Sequence, residues 1–76
     1  MVNSADLVKG QKIKVQLSKV NDRLPKNLLD KITTNPVGHW NGGYKMVDGN
    51  SFGLVIELFD GTQIWFFEEE LIEVDE

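Results

Sequence analysis

The chain has 76 residues, no cysteine, one histidine and a formal net charge of −4 at pH 7. This length allows one domain with a small hydrophobic core, which buries only about 60% of the surface of the unfolded chain. Because cysteine is absent and histidine is single, disulfides and a structural zinc site are excluded as sources of stability. No apolar run approaches the roughly 18 residues that a membrane-spanning helix needs, so we expect a soluble chain without membrane insertion.

The N-terminal segment is polar and lacks the basic and apolar regions of a signal peptide. We expect residues 1–6 to be flexible and residues 7–76 to form the single domain. A strict alternation after Gly10 predicts the first strand. Its core-facing side chains are Ile13, Val15 and Leu17. Its outer face is basic and holds Lys12, Lys14 and Gln16.

Residues 18–35 form the first long connection and contain a short helical pattern. Pro25 suits a first helical position, and apolar side chains follow it on one side of the helix: Leu28, Leu29 and Ile32. Asn35 and Pro36 end the pattern. Because two turns of helix are not stable alone in water, we expect a helix over residues 25–32 to dock on the sheet.

Two further strands are predicted over residues 37–47 and 52–59, with a bulge at Gly42-Gly43 and a turn at residues 48–50. The fourth strand follows Asp60-Gly61, a residue pair that favours a tight two-residue turn. This turn would pair Ile56 with Trp65 and Leu54 with Phe67, and these four side chains form the expected core face. Phe66 would then lie on the opposite, part-solvated face. Trp65→Ala is expected to unfold the domain, at a cost of about 3–5 kcal/mol.

Three consecutive glutamates, Glu68 to Glu70, follow the hairpin and cannot all be buried. We expect a 3₁₀ turn at a solvated corner, and then a short closing strand over residues 71–74. The predicted fold is therefore mostly β: a small five-stranded SH3-like barrel with a short helix in the first long loop and a 3₁₀ turn before the last strand. An OB-like barrel is the alternative.

The charges are divided unevenly along the chain. Residues 1–46 contain eight basic and three acidic residues, whereas residues 47–76 contain nine acidic residues and no basic one. We favour an arrangement in which the two halves interleave and their charges pair across the fold. The alternative is a face that stays charged and steers a partner over long range.

No pattern of residues indicates catalysis, a metal site or a cofactor site. His39 has no nucleophile or carboxylate at a recognisable spacing, and three consecutive glutamates on a turn point in different directions. Gly42-Gly43 and Asp48-Gly49 lack the features of a phosphate-binding loop. We therefore predict no catalytic, cofactor-binding or metal-binding residue, and a protein that is not an enzyme.

Aromatic side chains exceed what one face of so small a barrel can bury. Either the helix of the first long loop covers the surplus, or the surplus forms an apolar patch for a partner protein. The candidate partner-binding residues are Trp40, Tyr44, Phe66, Lys12, Lys14, Glu68 and Glu69. The lysines of the first strand would also suit single-stranded nucleic acid, but the acidic balance of the chain argues against that partner.

Three segments resemble the PetP family of cyanobacteria and some algal plastids: GQKIKV at 10–15, YKMVDG at 44–49 and WFFEEEL at 65–71. The last is the most specific, because a generic barrel does not require an aromatic triplet that runs into acids. The resemblance implies an SH3-like fold and a peripheral subunit without a redox centre, on the cytoplasmic (stromal) side of the cytochrome b6f complex in the thylakoid. Such a subunit would support or regulate photosynthetic electron transport. It would contact cytochrome b6f subunits and be monomeric when isolated.

Two alternatives stay open. The first is an SH3-like subunit of the photosynthetic NDH complex that helps to dock ferredoxin. Because ferredoxin is acidic, this role needs an exposed basic face, for which the lysines between Lys9 and Lys19 are the candidates. The second is a free-standing adaptor that binds nucleic acid or peptides. Salt-sensitive binding to ferredoxin would favour the first alternative, and RNA binding the second.

Overall fold

The computed structural model describes residues 2–49 and 51–74. The strands are β1 (Lys12–Val15), β2 (Val37–Met46), β3 (Phe52–Glu57), β4 (Gln63–Phe66) and β5 (Leu71–Glu73). Two helices, α1 (Leu17–Val20) and α2 (Lys26–Thr34), lie in the first long connection, and 3₁₀ turns span Ser4–Asp6 and Glu68–Glu70. All pairings in the five-stranded sheet are antiparallel, in the order β4-β3-β2-β1-β5.

The predicted fold class is confirmed. The chain is mostly β, with five strands, a short helix in the first long connection and a 3₁₀ turn directly before the last strand. Within the described residues, β4 and β5 each pair with one neighbouring strand, so hydrogen bonds do not close the sheet on itself. The described sheet is therefore open and does not form a closed barrel.

Strand β1 has the predicted alternation. Ile13 and Val15 are fully buried, and Lys12 and Lys14 are exposed. The prediction that Leu17 continues the core face of this strand is wrong, because Leu17 begins α1 and is partly exposed. The strand ends two residues earlier, at Val15, and the following Gln16 N–H donates to the Glu70 carbonyl at 2.8 Å.

Helix α2 confirms the predicted helix and its docking on the core. It begins at Lys26, because Pro25 has extended backbone angles and serves as the N-cap. Ile32 is fully buried in the core, Leu29 packs against the core from the same side, and the helix ends at Asn35 as predicted. The helix is short, so this apolar contact is its main source of stability.

The β3–β4 hairpin has a longer turn than the predicted two-residue one. The Gly61 N–H donates to the Leu58 carbonyl at 3.0 Å, and the Leu58 N–H donates to the Thr62 carbonyl at 2.8 Å. Gly61 has φ = +87°, in the left-handed region that favours glycine. A turn followed by a left-handed residue is a common three-residue hairpin loop, and it adds one residue to the predicted turn.

The added residue exchanges the two faces of β4, because side chains alternate along a strand. Leu54 pairs with Phe66 and Val55 pairs with Trp65. Phe66 is fully buried in the core, whereas Trp65 lies on the other side of the strand and is half-buried. Phe67 follows the end of β4, is also half-buried and packs its ring against Trp65. The prediction that Trp65 and Phe67 form the core face and Phe66 the solvated face is therefore wrong.

The 3₁₀ turn at Glu68–Glu70 is confirmed, but its third glutamate is not solvated. Glu70 is 4% exposed. Its carboxylate accepts hydrogen bonds from Arg23 Nε at 2.8 Å and from the Phe67 N–H at 2.9 Å. The Arg23 guanidinium also stacks 4.4 Å from the ring centre of Trp65. Arg23 thus connects the first long connection to the hairpin and to the turn before β5.

Charges from the two halves of the chain pair across the fold, as predicted. Besides Arg23 with Glu70, Lys31 Nζ lies 2.9 Å from Asp60 Oδ2, and His39 Nε2 lies 3.6 Å from Glu57 Oε2. Each of these pairs joins the basic half to the acidic half.

The N-terminal segment packs on the rest of the domain where it is described. Val2 is buried in the core, and the Ser4 N–H donates to Glu68 Oε2 at 2.7 Å. The flexibility of residues 1–6 stays a prediction, and Met1 lies outside the described residues. The predicted turn at 48–50 also includes an undescribed residue, Asn50. Beside it, Gly49 has φ = +88° and the Val47 N–H donates to the Ser51 carbonyl.

Candidate docking surface

Three large apolar side chains are exposed side by side at one end of the β2–β3 hairpin: Tyr44, Met46 and Phe52. Met46 pairs directly with Phe52, and the rings of Tyr44 and Phe52 are 6.5 Å apart in an edge arrangement. Tyr44 pairs with the buried Leu54, so these side chains lie on the same face of the sheet as the core. The core face of the hairpin therefore has a covered part, at Leu54, and an exposed part, at Tyr44, Met46 and Phe52.

The predicted bulge in β2 is confirmed, and it places Tyr44 at the border of the core. The register with β3 shifts between Trp40 and Tyr44. The Trp40 ring N–H donates to the Gly43 carbonyl at 3.0 Å, and Asn41 Oδ1 accepts from the Gly43 N–H at 2.8 Å. These two bonds stabilise the bulge. Trp40, before the bulge, is 7% exposed, whereas Tyr44, after it, is 53% exposed although the two rings are in contact.

A groove of about 610 Å³ runs between this end of the hairpin and the 3₁₀ turn before β5. We call its apolar lining residues the floor, namely Tyr44, Phe52, Leu54 and Phe67, and its polar lining residues the rim, namely Ser4, Ser51, Glu68 and Glu69. We call the whole groove the aromatic groove. The turn side of the groove is fixed in place: the Phe67 ring packs against Trp65 at 5.1 Å, and Glu68 holds the N-terminal segment through Ser4.

The candidate partner-binding residues divide into three groups in the structure. Tyr44, Glu68 and Glu69 come together in the aromatic groove. Trp40 and Phe66 are buried in the core, so their rings do not offer a surface to a partner. The lysines of β1 are exposed elsewhere: Lys12 lies beside His39 and Glu57, and Lys14 beside Gln16 and Ile72.

Phe52 belongs to this surface and is absent from the candidates predicted by sequence. It is 56% exposed and lies in the floor of the groove. The sequence does contain a signal for Phe52. The turn at residues 47–51 pairs Phe52 with Met46 and Leu54 with Tyr44, so Phe52 lies on the same face as the candidate Tyr44. Arg23 lies outside the groove and is also absent from the sequence predictions, because no local pattern in the sequence connects it to Glu70, 47 positions away.

Histidine and the carboxylates are the other side chains that could hold a metal ion. Among residues 2–49 and 51–74, no three histidine, aspartate or glutamate side chains could hold a metal ion together. His39 faces one carboxylate, that of Glu57, and both side chains are substantially exposed. In the same part of the chain, no helix is long and apolar enough to cross a membrane.

A protein-family model described as "Cytochrome b6f, subunit Tsr0524-like" matches residues 9–72. No curated protein and no solved structure matches the chain. The matched range includes all three segments that resemble the PetP family, at 10–15, 44–49 and 65–71. It also includes the floor of the aromatic groove and both of its glutamates. The match covers most of the chain and confirms the resemblance, and the chain therefore belongs to the Tsr0524-like (PetP) family of cytochrome b6f subunits.

Proposed function

We propose that this protein is a non-catalytic peripheral subunit that docks on the cytoplasmic (stromal) face of the cytochrome b6f complex at the thylakoid membrane. There it supports or regulates photosynthetic electron transport through contacts between proteins. The observation that carries this proposal is the family match over residues 9–72, which names a subunit of that complex.

The aromatic groove supports docking as the mode of action. Interface cores are enriched in tyrosine, phenylalanine and methionine, which are the residue types exposed at Tyr44, Phe52 and Met46. Soluble proteins seldom expose adjacent large apolar side chains without a function for them. These side chains extend the core face of the sheet, so a partner that covers them continues the packing of the domain.

The rigidity of the surroundings also favours docking. The bulge bonds of β2, the Phe67–Trp65 contact and the Ser4–Glu68 hydrogen bond hold both sides of the groove. A preformed surface loses little conformational entropy when a partner binds.

Affinity capture from solubilised thylakoids tests the proposal. We expect the tagged protein to retrieve cytochrome b6f subunits, and a tagged subunit of the complex serves as the positive control. Phe52→Ala should weaken the capture, and Phe59→Ala is its matched control, because Phe59 is 52% exposed and lies outside the groove. The proposal fails if the wild-type protein retrieves no cytochrome b6f subunit while the positive control does.

A further inference from the structure

The aromatic groove combines an apolar aromatic floor with an acidic rim, and this combination specifies the chemistry of its occupant. We infer that the groove binds an extended loop rich in lysine or arginine, contributed by a membrane-protein subunit. The inference rests on the proposed function and names the kind of segment that the docked partner supplies.

The floor suits long cationic side chains. Lysine and arginine bury their aliphatic stems along apolar surface, and their charged ends are attracted to aromatic faces within about 6 Å. The same part of the molecule already binds a cation in this way. The Arg23 guanidinium lies 4.4 Å from the ring centre of Trp65 and 5.5 Å from that of Phe67, and Phe67 also lines the groove.

The rim supplies negative charge, and no basic residue lines the groove among the described residues. Two of the described lining residues are glutamates, Glu68 and Glu69, and none is basic. The described contact of Glu69 is made by its backbone carbonyl, which accepts from Gln16 Nε2 at 3.3 Å, and its side chain is exposed. Lys45 pairs with Gly53, so it lies on the opposite face of β2 from Tyr44, and it is not among the described residues that line the groove.

Charge complementarity selects a basic protein segment over an anionic occupant. Loops of membrane proteins on the cytoplasmic side carry an excess of lysine and arginine. Anionic lipid headgroups and nucleic acids, in contrast, would be repelled by the two carboxylates. A subunit docked on that side of the membrane meets the kind of loop that the groove fits.

Titration of a short glycine- and serine-based peptide containing several lysines and arginines tests the inference by NMR on the isotopically labelled protein. We expect backbone shift changes at Tyr44, Phe52 and residues 67–69, and weaker binding as salt is added. The same peptide with glutamates in place of the basic residues should cause no shift changes there. Equal binding of both peptides, or shift changes confined to another surface, would overturn the inference.

Charge reversal at the rim then connects the groove to the complex. Glu69→Lys should weaken binding of the basic peptide and of solubilised cytochrome b6f about threefold to tenfold. Asp30→Lys makes the same change on the exposed face of α2 and should leave both affinities unaltered.

The inference and the proposed function fail in different ways. Wild-type affinity of Glu69→Lys for the complex would overturn the basic loop as occupant while the docking function stands. A dimer of the isolated protein that dissociates on Phe52→Ala would also overturn the inference, because a second copy would then fill the groove. Absence of the complex from wild-type captures would overturn the proposed function itself.

Discussion

Phe66 and Phe52 are the residues in which packing and surface roles separate most clearly. Phe66 is 0% exposed in the centre of the core, whereas Phe52 is 56% exposed in the groove. We expect Phe66→Ala to lower the free energy of unfolding by about 3–5 kcal/mol, because it leaves a large cavity. Phe52→Ala should change it by about 0.5 kcal/mol or less.

Urea unfolding of both variants measures this difference. A domain of this size has only a few kcal/mol to lose, so Phe66→Leu, with an expected cost of about 1 kcal/mol, provides a variant that stays folded. Trp65→Ala should cost less than Phe66→Ala, because Trp65 is half-buried on the outer side of β4. A larger cost for Trp65→Ala than for Phe66→Ala would indicate that a two-residue turn sets the register of β4, and it would contradict the observed pairing of Leu54 with Phe66.

Arg23 makes the contacts that join three separate segments, and its removal should destabilise the domain. Arg23→Ala leaves the Glu70 carboxylate buried without its cation. Because the Arg23 side chain is itself partly exposed, we expect the free energy of unfolding to fall by about 3 kcal/mol. Arg23→Lys keeps the charge but loses the two-pronged hydrogen bonding and the stacking on Trp65, so it should recover only part of the stability. Full recovery by lysine, measured by thermal unfolding, would reduce the role of Arg23 to its charge.

At the scale of elements, the β3–β4 loop is tied to α2 through Asp60. Lys31 of α2 bonds to both the Thr62 hydroxyl and the Asp60 carboxylate, and the Thr62 N–H donates to Asp60 Oδ1 at 3.0 Å. Hydrogen bonds from the side chain of Thr62 and from Lys31, with the backbone N–H of Thr62, hold the pKa of Asp60 far below its usual range.

This lowered pKa predicts a pH-dependent effect of Asp60→Asn. Because the pKa of Asp60 is lower in the folded state, the charged carboxylate stabilises the fold above its ordinary pKa, near 4, and this contribution is lost as the pH falls towards the folded value. Asp60→Asn should therefore be less stable than wild type at pH 7, with a difference that shrinks below about pH 4. Urea midpoints at both pH values measure this, and a difference that grows on acidification would contradict it. Asp30→Asn on exposed α2 is the matched control.

Some elements of this fold can be predicted from local sequence patterns, and the register of β4 cannot. The alternation of β1, the amphipathic α2 and the glycine bulge of β2 follow from local patterns, and all three are observed. The register of β4 depends on whether Asp60-Gly61 forms a two-residue turn or the end of a three-residue loop, and both fit the same residues. A difference of one residue there exchanges Trp65 and Phe66 between core and surface.

The residues of the candidate site that do not depend on the register of β4 could be predicted from the sequence. Tyr44, Glu68 and Glu69 lie in the groove. They could be predicted because local patterns indicate both the strand before the turn at 47–51 and the 3₁₀ turn. Phe66 was a wrong candidate for a surface ring because its exposure depends on the hairpin register. The Arg23–Glu70 pair depends on tertiary packing between distant segments, for which a single sequence carries no local signal.

At the scale of the whole molecule, ion pairs join the basic half of the chain to the acidic half. The ion pairs Arg23–Glu70 and Lys31–Asp60 use charges from both halves to stabilise the fold. Glu68 and Glu69 of the groove are not part of these two pairs; Glu68 Oε2 accepts from the Ser4 N–H, and the Glu69 side chain is exposed. Among the described residues, the aromatic groove combines adjacent exposed apolar side chains with the carboxylates of Glu68 and Glu69.

Site-specific photocrosslinking tests the central claim, that the groove docks on the cytochrome b6f complex, most directly. A benzophenone side chain would replace Phe52 in one protein and the equally exposed Phe59 in a second, each mixed with solubilised complex and irradiated. We expect a crosslink to a cytochrome b6f subunit from position 52 and none from position 59. Crosslinks to the complex from position 59 but not from position 52 would contradict it.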